Sequence, residues 1–267
     1  MVFAATLLSY ALFVTAAFAA PQTNLNDRLA HRRSGAHLSS PRRPSNGINA
    51  QAANVSNVEY SSNWAGAAWE SAAGTYKTVT GTFVVPTPMV PSGSLSSGSY
   101  AASAWVGIDG DTCGTAILQT GVDFTISDGE VSFDAWYEYY PDFAFDFSGI
   151  PISAGQTITV TVSASSSTSG TATITNVSTG KTVSKALTST AKLCGKNAEW
   201  IIEDFEEGSS LVPFANFGTV TFTGAVATTS AGATVGPSGA VLIDIEQSSK
   251  VLTTVSTTSS RVTVSYV

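Results

Sequence analysis

Two stretches hold most of the side chains able to do chemistry. Trp105 to Gly121, WVGIDGDTCGTAILQTG, sets an indole, Asp109, Asp111, Cys113 and Gln119 among apolar residues. Cys194 to Glu207, CGKNAEWIIEDFEE, carries the second of the chain's two cysteines and its densest acids, Glu199, Glu203, Asp204, Glu206 and Glu207. Both histidines, His31 and His37, lie in the N-terminal leader. Once that leader is removed no imidazole remains, which excludes Ser-His-Asp and Cys-His chemistry and most zinc sites. Acid and base work then falls to carboxylates, assisted by amides, hydroxyls and backbone dipoles.

Three such mechanisms fit the inventory. Two aspartates sharing a proton would need Asp-Thr-Gly or Asp-Ser-Gly turns, and the nearest match, Asp111-Thr112-Cys113, is single and spoiled by the cysteine. A retaining glycosidase needs two carboxyls about 5 Å apart. Glu199 and Glu203 share a strand face, but their Cα atoms would lie about 13 Å apart, so that pair works only if the side chains lean together. The third mechanism uses one carboxyl and one carboxamide. A glutamate in a low-dielectric cleft exchanges a proton with water and with a leaving amine, and a facing glutamine donates to the developing oxyanion without changing charge.

The elements that must position these groups follow from composition. At 267 residues the chain is long enough for one large all-β domain plus export segments. Residues 1–20, apolar and ending Ala-Phe-Ala-Ala, match a secretory signal, so the protein is expected to be secreted. Residues 21–54 carry five arginines against one acid, Asp27, a net +4, whereas 55–267 carry seven Lys/Arg against eighteen Asp/Glu, a net −11. A basic leader before an acidic domain reads as a pro-segment seated electrostatically on the cleft of a mature domain spanning 55–267. The acidity argues against nucleic acid or an anionic membrane as partners.

From about Asn57 onward, short β-type runs recur between Gly, Pro, Asn and Ser, among them Tyr76–Pro86, ASAWVGID, AILQTGVDF, VSFDAWYEYYP, TITVTVSAS and AEWIIEDFE. About a dozen such strands predict an antiparallel β-sandwich or barrel in one domain. In TITVTVSAS the threonines alternate with Ile158, Val160 and Val162, the mark of a strand with one solvated face. VSFDAWYEYYPDFAFDF breaks that alternation with Asp134, Glu138, Asp142 and Asp146 among aromatics, as the wall of a cleft would. With two thiols in an exported chain, a Cys113–Cys194 disulfide is expected, and it closes a long loop. Asn54 and Asn176 head Asn-X-Ser glycosylation sequons.

Ser62-Asn63-Trp64-Ala65-Gly66, the run from Trp105 to Phe124, AWYEYYP from Ala135, NAEWIIEDFE from Asn197, Val235-Gly236-Pro237-Ser238 and Asp244-Ile245-Glu246-Gln247 together resemble one family. Residues 60–267 look like a glutamic peptidase of the fungal eqolisin type, the pepstatin-insensitive acid peptidases. The resemblance implies a concanavalin-like sandwich of two long antiparallel sheets, a catalytic glutamine at Gln119 and a catalytic glutamate at Glu203. It further implies cleft residues Trp64, Trp105, Asp109, Asp123 and Glu138, a disulfide between Cys113 and Cys194, a basic pro-segment, and neither metal nor cofactor. The expected activity is acid endopeptidase action of a monomer on unfolded protein or peptide. The alternative is a polysaccharide-binding or glycoside-hydrolysing module on the same sandwich.

Overall fold

The computed structural model describes residues 37–45 and 58–267; the secretory signal expected at residues 1–20 and the Asn54 sequon lie outside the described residues. Two sheets, one of nine strands and one of eight, form the body, and no helix occurs among the described residues. Thr157–Ser166 shows why the chain packs this way. Its Ile158, Val160 and Val162 are fully buried, while the threonines between them face outward. Those threonines meet hydroxyls of the neighbouring Tyr76–Val84 strand, Thr80 to Thr161 at 2.7 Å and Thr82 to Thr159 at 2.8 Å. Cross-strand hydroxyl pairs of this kind keep a solvated face ordered without apolar surface.

The second sheet is built differently. Trp64–Glu70, Ser99–Ile108, Ile117–Ser127 and Asn197–Glu203 lie side by side at its centre and are buried on both faces. One face supplies Trp200, Ile202, Val106, Leu118 and Val122 to the core shared with the eight-stranded sheet. The other carries the polar and aromatic residues singled out above. Turn chemistry fixes its registers: Asp128 and Gly129, both at positive φ, close the two-residue hairpin between Ile117–Ser127 and Glu130–Tyr140.

Among the described strands, antiparallel pairing has one departure. Val58–Ser61 pairs parallel with Val241–Gln247, Leu242 opposite Val58. No crossover helix is needed, because the two strands come from opposite ends of the domain and everything between them is the connection. Cys113 and Cys194 form the expected disulfide across 81 residues. Constraining the unfolded chain through a loop of that length stabilises by about 4 kcal/mol. The Asn176 sequon falls at the end of the Ser169–Asn176 strand; the side chain is wholly buried, and its Nδ2 donates to the Pro151 carbonyl at 3.1 Å and to Gln156 Oε1 at 2.8 Å. A glycan would have to displace both bonds.

Candidate active site

Strand register brings the two predicted groups onto one face. Glu203 stands between Trp64 and Ser103 on its neighbouring strands, Trp105 pairs with Ile201 and Gly121, and Gln119 pairs with Gly107 and Glu138. Gln119 and Glu203 are therefore diagonal neighbours with the Trp105 indole between them. That indole lies over Gly107, where an added Cβ would sit 2.7 Å from the ring, so only glycine leaves room for it. Trp64 packs edge-on against Trp105 with ring centroids 4.9 Å apart. Both indoles aim their N–H at the glutamate: Trp105 Nε1 donates to Glu203 Oε2 at 2.9 Å and Trp64 Nε1 to Oε1 at 3.3 Å.

Leader residues run across this face. Gln119 Nε2 donates to the Ser39 carbonyl at 3.2 Å, and the Ser40 amide donates to Glu203 Oε1 at 3.2 Å. The two predicted groups thus grip the two ends of one peptide bond, Ser39–Ser40. Ser39 Oγ also donates to Glu203 Oε2 at 2.6 Å, the Ser39 amide to Glu138 Oε2 at 3.1 Å, and Trp64 Nε1 to the Ser40 carbonyl at 3.1 Å. Burial pushes the Glu203 carboxyl up to about 8, against the pull of the donors from Ser39, Trp64, Trp105 and Ser40. It is a proton-holding group in a dry site, and uncovering the site lowers the pressure to hold that proton.

The other expected cleft residues divide. Asp123 lies 3.8 Å from His37 Nε2, and the His37 ring packs edge-on against Phe205 and Trp136 at 4.3 and 5.7 Å. Trp64, Trp105, Asp123 and Glu138 thus line the groove that the leader fills. Asp109 does not. Its carboxylate, held at φ 70°, accepts the backbone N–H groups of Gly195, Lys196 and Asn197 at 2.8, 2.8 and 3.2 Å. It braces the disulfide-linked loops instead of facing a ligand. Aspartate tolerates that left-handed backbone better than most residues.

Asn63 was missed as a groove residue. Its Oδ1 accepts the Arg43 amide at 2.9 Å, and its Nδ2 faces the carbonyls of Ser40 and Pro41 at 3.4 and 3.3 Å. Its place beside Trp64 was the available signal. The run AEWIIEDFE is shorter as a strand than expected: it stops at Glu203, and Phe205 beyond it packs against His37. Glu199 shares the Glu203 face but not its surroundings. Fully buried, it has no hydrogen-bond partner among the described residues, and burial, then Asp109 and Asp111, pushes it well above the usual carboxyl range. Among the described residues, the candidate metal donors Asp109, Cys113 and Cys194 have both sulfurs locked in the disulfide.

Similarity to known proteins points to one family. Residues 62–266 match the Peptidase A4 family. The chain is 49% identical to aspergillopepsin-2 of Aspergillus niger over 98% of its own length and 99% of that protein's. It is 42% identical to scytalidopepsin B of Scytalidium lignicola over 80% and 79%. The crystal structure of scytalido-glutamic peptidase with a transition state analog inhibitor superposes with a TM-score of 0.70 at 45% identity, covering 77% of this chain and 98% of that one.

Proposed function

Because this chain belongs to the Peptidase A4 family, the glutamic endopeptidases of the eqolisin type, we propose that Glu203 and Gln119 carry out its peptide hydrolysis as a dyad and that the basic leader keeps the dyad covered. The observation that carries this reading is the Ser39–Ser40 bond, with its carbonyl on Gln119 and its nitrogen on Glu203. A substrate bound in that register presents its scissile bond to both groups at once.

With the leader gone, the Glu203 carboxylate takes a proton from water as the water oxygen bonds to the scissile carbonyl carbon. Gln119 Nε2 donates to the oxyanion of the tetrahedral intermediate, where a preorganised amide acts without changing charge. The C–N bond then breaks, and Glu203 returns its proton to the leaving nitrogen, leaving a free carboxyl and a free amine. The Trp64 and Trp105 N–H groups hold Glu203 in place and stabilise its anionic form. Gln119 Oε1 has no hydrogen-bond partner among the described residues, so it is the acceptor left to orient the attacking water.

The leader acts as an intramolecular occupant of the substrate groove, held by Arg43 on Glu206 at 2.8 Å and Arg42 on Asp111 at 2.8 Å. The protein is read as a secreted enzyme acting as a monomer on unfolded chains, since an extended segment is what the groove accepts here. A glycan-directed reading would need Glu199 and Glu203 as a pair, but Glu199 lies in the field of Asp109 and Asp111 and Glu203 between two indoles. The test is digestion of denatured casein at acid pH by the leader-free protein. Cleavage inhibited by a synthetic His37–Ser45 peptide supports the proposal. Polysaccharide hydrolysis without proteolysis would overturn it.

A further inference from the structure

We propose that Asp204 and Gln247 form a positioning pair for the hydrolysis, clamping the turn that delivers Asn63 and Trp64 to the site. This rests on the dyad reading, since the clamp acts through Glu203. The bond-breaking steps have no use for the Asp204 carboxyl, yet it lies beside Glu203 with only 1% exposure.

Strand order builds the clamp. Trp64–Glu70 lies between Asn197–Glu203 and Val241–Gln247, and both neighbours run antiparallel to it. Their last residues therefore arrive at its first, where Ser61 to Trp64 turn into the strand. Asp204 follows directly on Glu203, and its amide donates to the Asn63 carbonyl at 2.9 Å. From the other side, Gln247 Nε2 donates to the Ser62 carbonyl at 2.8 Å and to Asp204 Oδ2 at 2.7 Å. The turn is thus held at two consecutive carbonyls by groups that are tied to each other. Inside it, Ser61 Oγ donates to Asn63 Oδ1 at 2.9 Å and accepts the Trp64 amide at 3.2 Å.

The turn carries two contacts that the reaction needs. Trp64 stands opposite Glu203 in register and donates its indole N–H to Oε1 at 3.3 Å, and Asn63 Nδ2 faces the carbonyls of Ser40 and Pro41. A drift of the turn loosens the first contact, which orients the glutamate, and the second, which holds the peptide after the cleaved bond. Small misplacements of this kind cost rate steeply. Burial pushes the Asp204 carboxyl up to about 8, against the pull of Gln247 and with a further push from Glu203. In acid it is therefore neutral, and it anchors Gln247 without setting a second negative charge beside Glu203. An amide oxygen accepts from Gln247 in the same way; an alanine methyl does not.

The experiment measures kcat and KM on one fluorogenic peptide for wild type, Asp204→Asn, Asp204→Ala, Gln247→Leu and the Asp204→Ala, Gln247→Leu double variant, each made as the full chain and freed of its leader by an added endopeptidase. Asp204→Ala and Gln247→Leu should each lower kcat about 10-fold and raise KM about 3-fold. KM is the telling half, because a mere loss of folded enzyme lowers only the apparent kcat. The double variant should be no worse than either single one, since each already opens the clamp. Asp204→Asn should recover activity to within about 2-fold of wild type, its amide oxygen taking the place of Oδ2. Gln247 is half-buried, so Gln247→Leu reads the clamp even where Asp204→Ala fails to fold. A wild-type KM in Gln247→Leu, losses that multiply in the double variant, or an Asp204→Asn as impaired as Asp204→Ala would overturn the clamp and leave the dyad standing. Failure of wild type to cleave the peptide would sink the dyad reading and this proposal with it.

Discussion

Glu203 and Glu199 are two glutamates on one strand face, four residues apart, and both are fully buried. What separates them is what touches them. Glu203 receives donors from two indoles and two leader serines, whereas Glu199 has no hydrogen-bond partner among the described residues and lies in the field of Asp109 and Asp111. Glu199→Gln should therefore leave peptide cleavage near wild type and raise stability at neutral pH, because a neutral amide replaces a carboxyl that resists ionising. Melting curves and a casein assay check both halves. Gln119→Ala should lower kcat by about 100- to 1000-fold with little change in KM, the signature of a donor used in the transition state. The family motifs singled out Gln119 and Glu203, and strand register sets the two on one face. Asp109 was misplaced because the same motif contains residues that brace loops, and a one-dimensional pattern cannot say which way a carboxylate turns.

At the scale of elements, the alternation of Thr with Ile and Val in Thr157–Ser166 announced its packing correctly, since one solvated face leaves a period of two. The sheet that bears the site carried no such signal. Both its faces are covered, so its strands read as unbroken runs, and the course of Asn197–Glu203 past its last residue could not be told from parity. The leader was read as basic and complementary to the acidic domain, but its register across Gln119 and Glu203 lies in backbone contacts that charge counting does not contain. Arg42, on Asp111 and Glu59, and Arg43, on Glu206, anchor it beyond the dyad, so Arg42→Ala with Arg43→Ala in the full chain should shorten the lag before activity appears on acidification. A continuous peptide assay after a pH jump reads that lag directly. Replacing both Cys113 and Cys194 by Ala should cost about 4 kcal/mol, seen in denaturant unfolding, through the freed 81-residue loop.

At the scale of the whole molecule, buried carboxyls tie stability to pH. Burial raises the carboxyls of Glu203 and Asp204 to about 8 and of Asp244 to about 6, and raises Glu199 well above its usual range. In the unfolded chain these groups titrate near 4. A folded-state pKa above the unfolded value gives stability that is complete below pH 4. That stability is lost as pH rises toward 8, because the unfolded chain releases its protons first. The melting temperature should accordingly fall by about 10 °C between pH 4 and pH 8, and the carboxyl-to-amide change at Asp204, whose Oδ2 accepts from Gln247, should flatten that fall. A melting temperature flat across this range would mean that the buried carboxyls ionise freely. The surplus of acids, −11 from residue 55 onward, was visible from composition. Which acids are buried was not, because burial depends on strand neighbours far apart in the chain.

The account turns on Glu203 as the group that both takes and returns the proton. Its most direct test is kcat for peptide hydrolysis by Glu203→Gln and Glu199→Gln, side by side with wild type, after an added endopeptidase has removed the leader and mass spectrometry has verified its absence. Glu203→Gln should lose at least about 10⁴-fold, as expected for a group that serves as base and then as acid, while Glu199→Gln stays within a few-fold of wild type. Retention of most activity by Glu203→Gln, or its loss in Glu199→Gln instead, would contradict the assignment.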